Sequence, residues 1–210
     1  MARMTAAHLE TIRTRHAWAR GIRVFVETGT FRGERAAMAA AQFAVVHTVE
    51  ISEKLHREAA DRHRHPAIQF HLGDSRVWVP RLAAEVTEPA VWFLDAHWFS
   101  LNRDRTRAGQ ARDREAQIGG KEGGLPLWDE LAALARRPYA DVWVVDDVND
   151  FGRTEPTPEW RDVSLDRIAA YASDRLVEAV VLGDQAVIYR SGPTVTTGGP
   201  AWLPMEAKAA

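Results

Sequence analysis

Six carboxylates stand where short apolar runs end, and that regularity carries most of the chemistry in this sequence. Glu27 closes the run from Val24, Glu50 the run from Ala44, Asp95 the run from Val91, and Asp146-Asp147 the run from Val142, while Asp74 follows Ile68–Leu72 after one glycine. Taken alone, Asp74 with Ser75 reads equally well as the cap of a following helix. Five apolar runs that all end this way are harder to assign to capping. In an open α/β sheet the carboxyl ends of the strands face the ligand. Carboxylates gathered there repel one another, so something positive should sit among them: a cationic cofactor, a metal ion, or both.

The stretch Val24-Phe-Val-Glu-Thr-Gly-Thr-Phe-Arg-Gly33 narrows the choice. An apolar run, a tight loop and a glycine opening an alanine-rich helix form the layout by which doubly wound folds hold nucleotide-like ligands. A dinucleotide loop carries three glycines so that backbone can approach a pyrophosphate. Here Gly29 and Gly33 are the only two, and Glu27 stands at the entrance, repelling phosphate and attracting a cation. S-adenosylmethionine, with its sulfonium and ammonium groups, suits such a loop. Glu50 lies 21 residues beyond Gly29, about the spacing at which an acid accepts from ribose hydroxyls. Asp74 is placed for the adenine amino group, and Glu27 for the cofactor's amino acid end, directly or through water.

These residues need a scaffold, and the rest of the sequence supplies one. Strands are expected over 23–28, 44–50, 68–72, 91–94 and 142–145, alternating with helices over 33–43, 54–62 behind a Ser52 cap, 75–84 and 126–136. A helix over 164–172 precedes two further strands, 176–182 and 186–189, joined by the turn Gly183-Asp184. The alternation implies a parallel sheet with right-handed crossovers, and the terminal hairpin adds an antiparallel strand. An amphipathic helix over 5–19 makes 1–22 an N-terminal segment, 23–190 the main domain, and 191–210 a loose tail. Residues 99–124 are arginine- and glycine-rich and too long for an ordinary connection, so they read as a lid or substrate loop. Arg103, Arg105, Arg107, Arg112 and Arg114 lie within it, interleaved with Asp104, Asp113 and Glu115, so most read as solvated.

The topology and motifs together resemble the class I S-adenosylmethionine-dependent methyltransferases over roughly residues 20–190. Glu-Thr-Gly-Thr-x-x-Gly, Gly-Asp-Ser, Phe-Leu-Asp-Ala-His-Trp, Leu-Pro-Leu-Trp-Asp-Glu-Leu and Val-Val-Asp-Asp are similar to a bacterial group of small methyltransferase-like proteins. The resemblance implies a Rossmann-like, doubly wound, mostly parallel seven-stranded sheet. It places cofactor contacts at Glu27, Thr28, Gly29, Thr30, Gly33, Glu50, Ile51, Asp74, Ser75 and Asp95. A weaker resemblance to the metal-dependent O-methyltransferases of macrolide-sugar and catechol type implies Mg²⁺ or Mn²⁺ held by Asp95, Asp146 and Asp147; the alternative is that Asp146 caps a turn, Asp147 faces solvent and an arginine serves as the counter-ion. The lysine base of the catechol type is replaced by Trp98, which leaves His97 beside Asp95 as the catalytic base; the alternative is that His97 only bonds an aspartate.

Composition sets the outer limits. A chain of 210 residues, 46% hydrophobic and 27% charged, suits one globular domain. With no cysteine, disulfides, thiolate metal sites and a catalytic thiol are excluded. A net charge of −2 gives no global reason to expect nucleic acid, and no run reaches the length of a membrane span, so a cytoplasmic protein is expected. The expected partner is a small-molecule acceptor, with a homodimer left open. Two readings from other classes stand beside the methyltransferase: an NAD-dependent oxidoreductase, disfavoured by the missing glycine, and a non-catalytic binding module that keeps the fold.

Overall fold

The computed structural model describes residues 4–97, 125–153 and 160–192. Runs of β-branched and aromatic residues form its centre, because such side chains pack well on a pleated surface. Strands β1 (Val24–Thr28), β4 (Ala90–Leu94) and β5 (Val142–Val145) are buried along their whole length. With β2 (Val45–Glu50), β3 (Ile68–Leu72), β6 (Leu176–Leu182) and β7 (Gln185–Arg190) they make one seven-stranded sheet in the order β3-β2-β1-β4-β5-β7-β6. The first five strands are parallel; β7 runs antiparallel to both β5 and β6. The α/β, mostly parallel sheet with a C-terminal antiparallel hairpin is the architecture expected from the sequence.

Side chains alternate between two cores. Val24, Val26, Trp92 and Leu94 face one, and Phe25, Val91 and Phe93 the other. Helices α1 (Ala6–Thr14) and α2 (Glu34–Ala40) cover the Phe25 face. Helices α4 (Ser75–Glu85), α5 (Leu127–Ala135) and α6 (Leu165–Ala170) cover the other, with α3 (Glu53–Arg62) beside β2 and β3. Caps set several helix starts: Thr5, Ser52, Asp74 and Ser164 each accept a backbone N–H of the first turn. Among the described residues no helix is long and apolar enough to cross a membrane.

Register is what positions the site. Glu27 lies beside Phe93, Thr28 beside Leu94, and Leu94 beside Val145. The ends of β1, β4 and β5 are therefore level, which brings Glu27, Asp95 and Asp146 to one rim of the sheet.

One expected element is different. The helix expected over 5–19 stops at Thr14, and a 3₁₀ turn, Ala17–Gly21, follows an extended His16. The cause is Glu178 on β6, which draws both residues at the break: Arg15 Nε donates to it at 2.7 Å and His16 Nε2 lies 2.9 Å away. Consecutive residues cannot point to one carboxylate from a continuous helix.

Two histidines make the far edge of the sheet sensitive to acid. His47 on β2 and His71 on β3 meet at 3.1 Å, and Trp78 of α4 lies against His71 at 4.3 Å between ring centroids. Burial pushes both below the ordinary 6.5, His71 to about 4 with help from His47. The unfolded chain then binds more protons than the folded one as pH falls from about 6.5 to about 4. Over that window the wild type should lose stability relative to His71→Asn, measured by urea unfolding at several pH values. Parallel pH curves would contradict the burial argument.

Candidate functional site

The loop after β1 is built against the protein itself. A side chain at Gly29 (φ 79°) would come within 2.4 Å of the Asp95 carbonyl oxygen, and one at Gly33 (φ 77°) within 2.8 Å of the His63 ring. Both positions thus require glycine for their left-handed backbone and for close packing within the protein. The Gly29 and Thr30 amides are likewise committed, donating to the Val49 carbonyl at 2.9 and 3.1 Å. Phe31 takes a left-handed conformation (φ 51°), a strained state for a residue with a side chain. It directs the Phe31 N–H onto Glu50 Oε2 at 2.8 Å, while Ser52 N–H donates to Oε1 at 2.9 Å. Glu50 is buried, and of the roughly four lone-pair positions of a carboxylate the surrounding backbone N–H groups leave room for about one further donor. Burial raises its pKa, and the backbone N–H groups of Ser52, Phe31 and Ile51 pull the other way.

The positive charge that the acids demand belongs to Arg35, in the first turn of α2. Its Nη1 donates to Glu27 Oε1 at 3.1 Å and Asp95 Oδ2 at 2.7 Å, and its Nη2 donates to Asp146 Oδ2 at 3.1 Å. The Phe93 ring lies beneath the guanidinium, 4.0 Å from Cζ to centroid. Burial works against this charge, but Asp95, Glu27 and Asp146 outweigh it and raise the arginine pKa further. Glu27 is fully buried behind it, and Thr48 Oγ1 donates to its other oxygen at 2.7 Å. Burial pushes Glu27 up to about 7 against the pull of Arg35 and Thr48. The direct cofactor contact expected of Glu27 is therefore not open to it.

His97 forms the second bridge. Its Nδ1 lies 3.2 Å from Asp95 Oδ1 and its Nε2 lies 3.1 Å from Asp147 Oδ2. Burial disfavours the charged ring, but the Asp95 hydrogen bond and the charges of Asp95 and Asp147 prevail, pushing the pKa up to about 8. Asp147 is also left-handed (φ 61°), and burial pushes its carboxyl up to about 7 against the pull of His97. His97 and Arg35 hold Asp95 below the usual carboxylate range despite burial. Asp146 turns elsewhere: Gln185 Nε2 and the Asp147 N–H donate to its Oδ1 at 2.7 and 3.1 Å, and Arg35 takes Oδ2.

The expected trio Asp95, Asp146 and Asp147 is thus not the group that converges. Among the described residues, the acids and histidines whose ligand atoms could meet on one ion are Asp95, His97 and Asp147, within 4.8 Å of one another. Asp146 is not in this group, and its oxygens accept from Gln185, the Asp147 N–H and Arg35. His97 already spans the two acids, so an ion fits there only after the ring yields its place.

The adenine side is less open than expected. Asp74 caps α4, accepting from the Arg76 N–H at 2.9 Å and from its guanidinium at 2.7 Å. Thr28, Thr30 and Ser75 are buried. Thr28 accepts the Asp95 N–H at 3.2 Å, and Thr30 shares a 2.6 Å bond with Thr48. Glu130 of α5 is buried with no hydrogen-bond partner for its Oε1 among the described residues, and burial pushes its carboxyl up to about 7. Ile51 is half-buried at the end of β2. The lid expected over 99–124, its arginines, and Trp98 lie outside the described residues.

Arg35, Gln185 and Glu130 escaped the sequence reading. Only Arg35 left a usable signal. A cation in the first turn of a helix opposes the helix dipole, so it needs acids nearby to be stable.

No protein-family model matches the chain, and no curated protein does. Solved structures resemble it in fold. A candidate O-methyltransferase from Klebsiella pneumoniae superposes with TM-score 0.54 at 14% identity, over 91% of this chain and 83% of that one. The O-methyltransferase TomG of Streptomyces achromogenes, solved with S-adenosylmethionine, gives 0.51 at 17% identity, over 88% and 77%. An O-methyltransferase from Bacillus cereus, solved with the demethylated product, gives 0.50 at 16%, over 90% and 82%. The chain has the fold of the class I S-adenosylmethionine-dependent methyltransferases.

The His97 bridge can be read in solution. Ring resonances in NMR should titrate with a midpoint of about 8, and Asp147→Asn should lower that midpoint by removing one of the stabilising charges. A wild-type midpoint at or below the ordinary histidine value would contradict the double bridge.

Proposed function

We propose that this chain is an S-adenosylmethionine-dependent methyltransferase acting on a hydroxyl of a small molecule. The observation that carries the proposal is Glu50, which ends β2 beside the Gly29–Gly33 loop with both oxygens fixed by backbone N–H groups. A carboxylate preorganised in this way, with about one position left open, is suited to accept from a ribose hydroxyl. The fold similarity to methyltransferases solved with cofactor or product supports the same reading.

When bound, S-adenosylmethionine supplies a methyl group on a sulfonium, ready for in-line transfer. The protein's part is then positioning and proton removal. Asp95 orients His97 through Nδ1. In its neutral form His97 accepts the acceptor's hydroxyl proton at Nε2, after that hydroxyl has taken the place of Asp147. Asp95 then balances the imidazolium so formed.

Calorimetry tests the proposal. Both S-adenosylmethionine and its demethylated product should bind with Kd of about micromolar, and Glu50→Ala should weaken binding by roughly 1.5–3 kcal/mol, the scale of a charge-assisted hydrogen bond. No signal with wild-type protein at millimolar ligand, or binding of NADH in its place, would overturn it. Binding in the absence of any turnover across hydroxylated acceptors would point instead to a non-catalytic module.

A further inference from the structure

The acids that end β4 and β5 suggest a divalent cation, and the side chains around them disagree. Between Asp95 and Asp146 lies a guanidinium, 2.7 Å from one carboxylate and 3.1 Å from the other, with Glu27 as a third partner at 3.1 Å. Its charge is fixed at any accessible pH, unlike that of a lysine or histidine. The fork of Nη1 and Nη2 spans carboxylates on separate strands, a task that a single ammonium performs poorly. Phe93 stacks under the plane and Gln185 holds Asp146 from the far side, so neither the cation nor its acids are free to rotate. His97 repeats the arrangement between Asp95 and Asp147.

From this geometry we infer that Arg35 is a resident cation standing in for a divalent ion between Asp95 and Asp146, so that this chain holds no divalent ion on those two acids. The inference deepens the methyltransferase reading. Acceptor activation then falls to His97 and Asp95, and Arg35 acts as a positioning residue that keeps three strand ends together. A structural corollary follows from charge alone. Without the guanidinium, Glu27, Asp95 and Asp146 become an uncompensated oxygen cluster of the kind that takes Mg²⁺, Mn²⁺ or Ca²⁺. Removing Arg35 should therefore create an ion site that the wild type lacks.

Mn²⁺ alone is the probe, titrated into the full chain and followed by electron paramagnetic resonance and by thermal unfolding. Wild-type protein and Arg35→Lys should show no Mn²⁺ binding that depends on Asp146. Arg35→Met should bind Mn²⁺ at least about tenfold more tightly than wild type, since the acids then present their charge to the ion without a guanidinium between them. Its Tm should rise with Mn²⁺ concentration, as expected for a ligand that binds only the folded state. Adding Asp146→Asn to Arg35→Met should abolish both gains, a result that a merely structural role for Arg35 would not produce. Wild-type Mn²⁺ binding that is lost in Asp146→Asn would overturn the inference, and so would a folded Arg35→Met that gains no affinity. Should Arg35→Met stay unfolded with and without Mn²⁺, Arg35→Gln replaces it under the same two criteria. Binding of S-adenosylhomocysteine to the same wild-type sample reports separately on the methyltransferase reading, so that either can fail alone.

Discussion

The contact on which the rest of the site depends is the grip of one guanidinium on three strand ends. Arg35 bonds Glu27 of β1, Asp95 after β4 and Asp146 after β5, three neighbouring strands whose register makes their ends level. Without it, three carboxylates in a place with little water would repel one another and either protonate or move apart. Breaking a buried ion pair by removing one partner typically costs about 3–5 kcal/mol, because the partner left behind is buried and uncompensated. The buried charge at Arg137 shows a different solution. That guanidinium is used up by Asp141 and by the carbonyls of Ala83, Val86 and Glu88, with 2.7–2.9 Å bonds that leave nothing for a ligand. Charge there closes the end of the fold; charge at Arg35 organises an open rim.

From Arg35 the polar contacts continue in both directions. On one side, Glu27, Thr48 and Thr30 lead back into the loop that carries Phe31, whose N–H donates to Glu50 at the end of β2. On the other, Asp95, His97 and Asp147 lead toward the acceptor side. Two strained residues, Phe31 and Asp147, sit at the two ends of this chain of contacts. Strain of this kind persists only where the surroundings over-determine it, and it gathers at functional sites. The proposed roles follow this division, with Glu50 facing the cofactor and His97 facing the acceptor.

Much of the fold was legible because its signals are local. β3, β5 and β6 span the residues expected of them, since apolar runs bounded by Gly, Pro or Asp leave little choice of ends. The helix over 5–19 was misread because its break depends on Glu178, far along the chain, and no window of sequence contains both. The site divides in the same way. That acids gather at the strand ends is a local fact and could be read. Which acid faces which partner is a tertiary fact. Asp146 is turned by Gln185, from a strand that joins the sheet later in the chain, and a side chain at Gly29 would collide with the Asp95 backbone. The requirement for a cation among the acids was inferred from charge, with an arginine as the alternative to a metal; that the arginine is Arg35, in the first turn of α2, was not.

A crystal structure with S-adenosylhomocysteine, grown in the presence of Mn²⁺ and read for anomalous signal, tests the central claim most directly. The account predicts a ribose hydroxyl on Glu50, the Arg35 guanidinium still between Asp95 and Asp146, and no anomalous peak on those two acids. A manganese peak shared by Asp95 and Asp146 with Arg35 turned away, or a ligand bound elsewhere than at Glu50, would contradict it.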